Sequence, residues 1–126
     1  MIEGIFNQTN YSTAKKLLDS TALRQEAIAS NLANLETPGY KRLEVNPNFE
    51  MQLKQALASG NQTQMESLTP TLSVDTKSIS ERKDGNTVHL EAELLQMNQN
   101  MMEHALETQL VSASLMKMRM AITGKA

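Results

Sequence analysis

Two long segments with apolar residues at helical spacing stand at opposite ends of this 126-residue chain, and helices of that kind need partners. In the first, residues 8–35, Tyr11, Ala14, Leu18, Ile28, Leu32 and Leu35 recur at steps of three and four, with Thr21 and Gln25 in the two gaps. In the last, from about 90 to 122, Leu95, Met102, Leu106, Leu110, Ala113, Met116 and Met120 recur in the same way. Beyond Leu110 apolar side chains cover most of the circumference, which predicts burial on several sides in a multi-helix contact. Leu106, Leu110, Met116 and Met120 are therefore candidate subunit-packing residues.

The rest of the composition agrees. Aromatic residues are 3% of the chain, with no Trp, so the large side chains that usually fill a compact core are missing. The nine Met, with Leu and Ala, are strong helix formers. These features predict an all-α chain with a thin core, in one domain spanning 1–126. Net charge is −2 and the basic residues are scattered, so no nucleic-acid partner is expected. The chain has no Cys, which removes disulfides, thiol chemistry and Cys-ligated zinc. No apolar run is long enough for a transmembrane span. The opening Met1-Ile2-Glu3-Gly4-Ile5-Phe6 is acidic and lacks the apolar region of a cleaved signal peptide.

Between the helices, 36–59 reads as a turn, an extended stretch and a short helix with Phe49, Leu53, Ala56 and Leu57 on one face, ended by Gly60. Residues 60–87 form a polar, irregular segment in which 71–74 and 77–80 alternate weakly, as short strands do. Its length predicts either disorder or packing against something outside the chain. Residues 88–126 hold the C-terminal helix.

The stretch SNLANLETPGYKR, residues 30–42, closes the first helix with unusual specificity. Asn31 and Asn34 share a helix face, where their amides can bond the chain as it folds back or a neighbouring subunit. Pro38 moves Thr37 out of helical geometry, and Pro38-Gly39 suits the centre of a type II turn. Tyr40 is placed to pin the returning chain to the helix. Asn31, Asn34, Thr37, Pro38, Gly39 and Tyr40 complete the candidate packing set.

Catalytic chemistry finds little support. His89 and His104 stand 15 residues apart with no ligand pattern around them, and Glu91/Glu93 and Glu103/Glu107 read as helix-surface charges. Met116-Lys117-Met118-Arg119-Met120 suggests Cu(I), but residues two apart on a helix point about 200° from each other, so the thioethers do not converge. Adaptable packing explains them better. No enzyme activity, cofactor or metal is expected.

ASNLANLETPGYKR, residues 29–42, resembles the A-N-N-x-A-N-x-x-T-P-G-Y-K motif of the bacterial flagellar axial proteins that build rod and hook. Ala29, Asn31, Ala33, Asn34, Thr37, Pro38, Gly39, Tyr40 and Lys41 match. DGNTVHLEAELLQM, residues 84–97, is similar to the D-G-N-x-V-x-L-x-x-E-M segment of short proximal rod members, through Asp84, Gly85, Asn86, Val88, Leu90 and Glu93. Leu35 and Glu36 depart from the usual small residues, and His89 and Leu94 replace the common Asp and Met. The resemblance implies terminal helices paired as an antiparallel, coiled-coil-like hairpin. It also implies a structural subunit of the basal-body proximal rod, exported by the flagellar type III apparatus and assembled in the periplasm near the inner-membrane ring. Its partners would be copies of itself, other rod proteins and the rod–ring junction protein. The alternatives are another short axial protein of the rod, or a soluble helical secretion chaperone or adaptor.

Overall fold

Among the described residues, eleven of the fifteen large hydrophobic side chains left exposed belong to a single helix, the last, and the fold explains why. The computed structural model describes residues 2–124, with side chains from residue 9 onward. The outer limits of the expected domain, residues 1 and 126, lie outside the described residues. The elements are α1 (Ile2–Ala33), β1 (Leu43–Val45), α2 (Asn48–Ser59), α3 (Gln62–Ser67), β2 (Leu72–Val74) and α4 (Leu90–Thr123). Helix α1 begins at Ile2 rather than at residue 8. Gly4, at about 1 kcal/mol against Ala, is too weak a breaker to stop it.

Helices α1 and α4 pair as an antiparallel hairpin: Asn31, late in α1, bonds Glu93, early in α4, while Thr21 bonds Glu107 further on. The seam is polar on the α4 side. The buried residues of α4 are Glu93, Asn100, Glu107 and Ser114, each seven after the last, which is the heptad spacing of a coiled coil. Their partners on α1 are chosen to match. Asn100 Nδ2 donates to the Thr21 carbonyl at 3.1 Å and to Gln25 Oε1 at 3.1 Å, and Ala14, Thr21, Ile28 and Asn31 are buried alongside. Polar seam residues fix register at a cost in stability.

The small apolar core lies elsewhere. Phe49, Leu53 and Ala56 of α2 close on Met65 of α3, with Leu17 and Leu68 packed against them. Pro47 starts α2, and Gly60, at φ +67°, stops it by donating back to the Ala56 and Leu57 carbonyls. Leu57 is the departure from the expected face, at 40% exposed.

Residues 60–87 pack against the chain's own first helix, contrary to the expectation of disorder or an outside partner. Lys16 Nζ donates to the Glu66 and Leu68 carbonyls at 3.0 and 2.7 Å, and Met65 is buried beneath Thr13. Strand β2 pairs antiparallel with β1, Glu44 opposite Ser73. The apolar anchors here, Met65, Leu68 and Leu72, are too sparse to show a period, yet each meets a surface already built. Residues 77–80 form no strand, because Asp75 Oδ1 takes the Lys77 and Ser78 N–H groups into a turn.

Candidate functional site

The two sequence motifs, more than forty residues apart, form one clamp at the C-terminal end of α1. A helix end leaves its last carbonyls without partners. Here Asn86 Nδ2 supplies them, donating to Asn34 O at 2.9 Å, Leu35 O at 3.0 Å and Thr37 O at 2.8 Å. Two N–H bonds are thus shared among three acceptors, and Asn86 Oδ1 receives the Val88 N–H at 2.8 Å. Asn86 is fully buried. The turns that present it are held by glycines. Gly39 has φ +73°, Tyr40 N–H closes the turn on Thr37 O at 3.3 Å, and Gly39 N–H donates to Asp84 O at 2.8 Å. Gly85, at φ +79°, lies where a Cβ would stand 3.8 Å from Gly39 Cα.

Asn31 does the work of a strand. Its Nδ2 donates to Leu43 O at 2.9 Å and its Oδ1 accepts from Leu43 N–H at 2.8 Å, which ties β1 to α1. Tyr40 Oη donates to the same Oδ1 at 3.2 Å and bonds Ser30 Oγ at 2.9 Å. Asn34 turns inward too, with Nδ2 donating to Ser30 O and Oδ1 accepting from Thr37 Oγ1. Asn31 is therefore occupied within the chain, whereas Thr37, Pro38 and Gly39 stay exposed at the rim.

A buried charge sits beneath the clamp. Glu93 is fully buried, and its carboxylate accepts from Arg42 Nε and from Asn31 Nδ2. Arg42 also holds Asp75 at 2.9 Å. Burial opposes the Arg42 charge, but the two carboxylates outweigh it and raise its pKa. Burial would raise Asp75 as well, yet the Ser78 hydroxyl, the Lys77 N–H and Arg42 hold its carboxyl below the usual range. Paired and hydrogen-bonded, these charges specify one geometry of β1 and β2 against α1 and α4.

Glu107 is the second buried carboxyl of the seam, not the surface charge that its sequence context suggests. Thr21 Oγ1 lies against both Leu17 O, at 2.9 Å, and Glu107 Oε2. A hydroxyl has one hydrogen. That hydrogen is shared between two acceptors, so Thr21 donates to the Glu107 carboxylate in competition with the Leu17 carbonyl. Burial pushes the Glu107 carboxyl up, the Thr21 hydroxyl opposes the shift and Glu103 adds to it. The sign follows: the folded state binds the proton more tightly, so stability falls as pH rises from the ordinary Glu value through the raised one. Glu107→Gln is expected to flatten that slope and raise the denaturant midpoint at neutral pH. Equal slopes in parent and variant, measured by urea unfolding across pH 4–8, would contradict this role.

The remaining candidate residues lie on the far side of α4. Leu106 is 58% exposed, Leu110 47%, Met116 64% and Met120 39%. These four share one face of α4; the polar row opposite them and the Asn86 cap are the features that sequence reasoning missed. The seven-residue spacing of Glu93, Asn100, Glu107 and Ser114 was the available signal for the row. Nothing local marks Asn86 as a cap, because its acceptors come from another part of the chain.

A helical hairpin that buries a polar seam and turns its apolar side outward, with an axial-type fold-back turn at one end, defines a helical axial subunit. A model of the flagella basal body rod protein family matches residues 18–41, the second half of α1 and its turn. The chain is 32% identical to the flagellar basal body rod protein FlgB of Borrelia hermsii, covering 75% of this chain and 82% of that protein. It is 28% identical to FlgB of Escherichia coli strain K12, over 80% of this chain and 83% of the other, and 27% identical to FlgB of Buchnera aphidicola, over 79% and 85%. The chain belongs to the FlgB family of flagellar basal body rod proteins and is a structural subunit of that rod. No helix among the described residues is long and apolar enough to cross a membrane.

Proposed function

We propose that this subunit builds the proximal, periplasmic part of the rod by helix packing. On this reading it leaves the cytoplasm through the flagellar export apparatus without a cleaved signal peptide. It then joins copies of itself, other rod proteins and the rod–ring junction protein beside the inner-membrane ring. Its role is mechanical and no catalytic step is assigned to it. The observation that carries the reading is the outward apolar face of α4. Large contiguous apolar surface on a soluble chain marks an interaction site, and here it runs along a helix whose opposite side is already engaged by α1. The clamp sets the angle at which that face is offered. Deleting the gene is expected to abolish motility and to leave inner-membrane rings without a rod in purified basal bodies. Complete rods in the deletion strain would refute the assignment, and rings with export restored by an unrelated helical chaperone would favour the adaptor reading.

A further inference from the structure

Helix α4 is electrically lopsided. Its N-terminal part, as far as Glu107, carries Glu91, Glu93, Glu103 and Glu107 with no Lys or Arg, and its last turns carry Lys117 and Arg119 with no acid. Lys117 and Arg119 are exposed and form no ion pair with another described residue. At about 100° per residue, Met116 and Met120 make one ridge pointing away from Ser114, and Lys117 and Arg119 fall roughly 80° to either side of it. The ridge is thus apolar along its crest and cationic on both flanks.

The matching shape lies further up the same molecule. Helices α2 and α4 both lean on α1 and leave a groove of about 370 Å³ between them. That is many times the ~30 Å³ share of a water molecule, so it has room for side chains. Leu17, Leu53 and Leu57 supply its apolar lining. The α2 wall carries Glu50 and Lys54 and the α4 wall Glu103 and Glu107, with Glu50 and Glu103 both bound to the single Arg24, at 3.2 and 2.5 Å. Ser20 lines the groove, is 3% exposed, and its Oγ is the one buried side-chain polar atom among the described residues with no hydrogen-bond partner. A buried hydroxyl in that state is unfavourable until something bonds it.

We propose that this groove receives the Met116–Met120 ridge of a second copy of the chain, with Lys117 and Arg119 facing the carboxylates on the two walls. The proposal rests on the reading of α4 as an assembly face and adds its register: the basic end of one copy on the acidic middle of the next. A contact of this kind is heterologous, one patch against a different patch, and so extends into a ring or a helix rather than closing as a dimer. The methionines suit it, since flexible thioethers fill irregular grooves.

Charge exchange tests it. One variant carries Lys117→Glu with Arg119→Glu, the other Glu50→Lys with Glu103→Lys. Each expressed alone is expected to lower rod yield in basal-body preparations at least tenfold, because like charges then meet at every contact. Expressed together they restore it, since each ridge finds an opposite groove. The absence of native Cys allows a second measurement. A Leu57→Cys copy should form a disulfide with a Met116→Cys copy in the rod, and a Glu26→Cys copy should not. This cross-link decides the matter if loss of both Arg24 partners prevents the groove variant from folding. A Lys117→Glu, Arg119→Glu subunit that assembles like the parent overturns the proposal. So does a Met116→Cys subunit that cross-links to a different rod component. If Met116→Asp blocks assembly while the reversed ridge does not, α4 remains an assembly face and only this register is lost.

Discussion

Met116→Asp and Met120→Asp are each expected to abolish incorporation of the subunit into basal bodies while leaving the isolated chain as folded as the parent. Met116 and Met120 are 64% and 39% exposed, and the hairpin seam runs through Glu93, Asn100, Glu107 and Ser114 on the other side of α4. A new carboxylate is therefore harmless to the monomer. In the rod it would be buried without a partner, at about 3–5 kcal/mol, and the same loss repeats at every contact along the assembly. The measurement is co-sedimentation of each variant with basal bodies, paired with circular dichroism of the purified chain. Normal co-sedimentation would mean that these methionines face solvent in the rod. Loss of helix in the monomer would mean that they stabilise the subunit itself.

The second large effect falls on the clamp, and its parts should rank. Asn86→Ala leaves the Val88 N–H unpaired and takes the amide from three carbonyls at the end of α1, of which Asn34 O keeps the Thr37 N–H, Thr37 O the Tyr40 N–H and Leu35 O Arg82 Nη1. With about 1–3 kcal/mol for the buried N–H left unpaired and about 0.5–1.5 kcal/mol for each bond that the amide itself loses, the loss is on the order of 3 kcal/mol. Gly39→Val meets no steric neighbour, because nothing lies within 4 Å of its would-be Cβ. Its cost is the left-handed backbone alone, about 1–2 kcal/mol for an L residue and more for a β-branched one. Urea unfolding should therefore place Asn86→Ala below Gly39→Val, and both below the parent. Both are expected to block rod incorporation, since the turn sets the angle of β1 and of α4 against α1. An Asn86→Ala chain as stable as the parent would show that water replaces the amide at these carbonyls.

Several features of this protein were decided by sequence alone. The two long helices follow from apolar spacing and helix-forming composition, which act within a few turns of chain. The fold-back turn follows from Pro38 and Gly39, whose allowed backbone angles are a local property, and Gly39 adopts the positive φ that this demands. The apolar identity of Leu106, Leu110, Met116 and Met120 is likewise local. Which way that face points was a tertiary matter. The periodicity of α4 contains two stripes, and a pattern of residues cannot say which one meets α1. The answer came from complementarity: Thr21, Gln25 and Asn31 on α1 bond Glu107, Asn100 and Glu93 of the polar stripe, and turning the apolar one inward would forfeit those bonds and bury the groups without them. The same holds for Asn86, an ordinary turn residue until residues 34–37 arrive beside it, and for residues 60–74, whose few apolar anchors find their places only against α1 and α2. Local backbone preference is written residue by residue and can be read there. Satisfaction of buried polar groups is a relation between distant segments, and it exists only once the chain has brought them together.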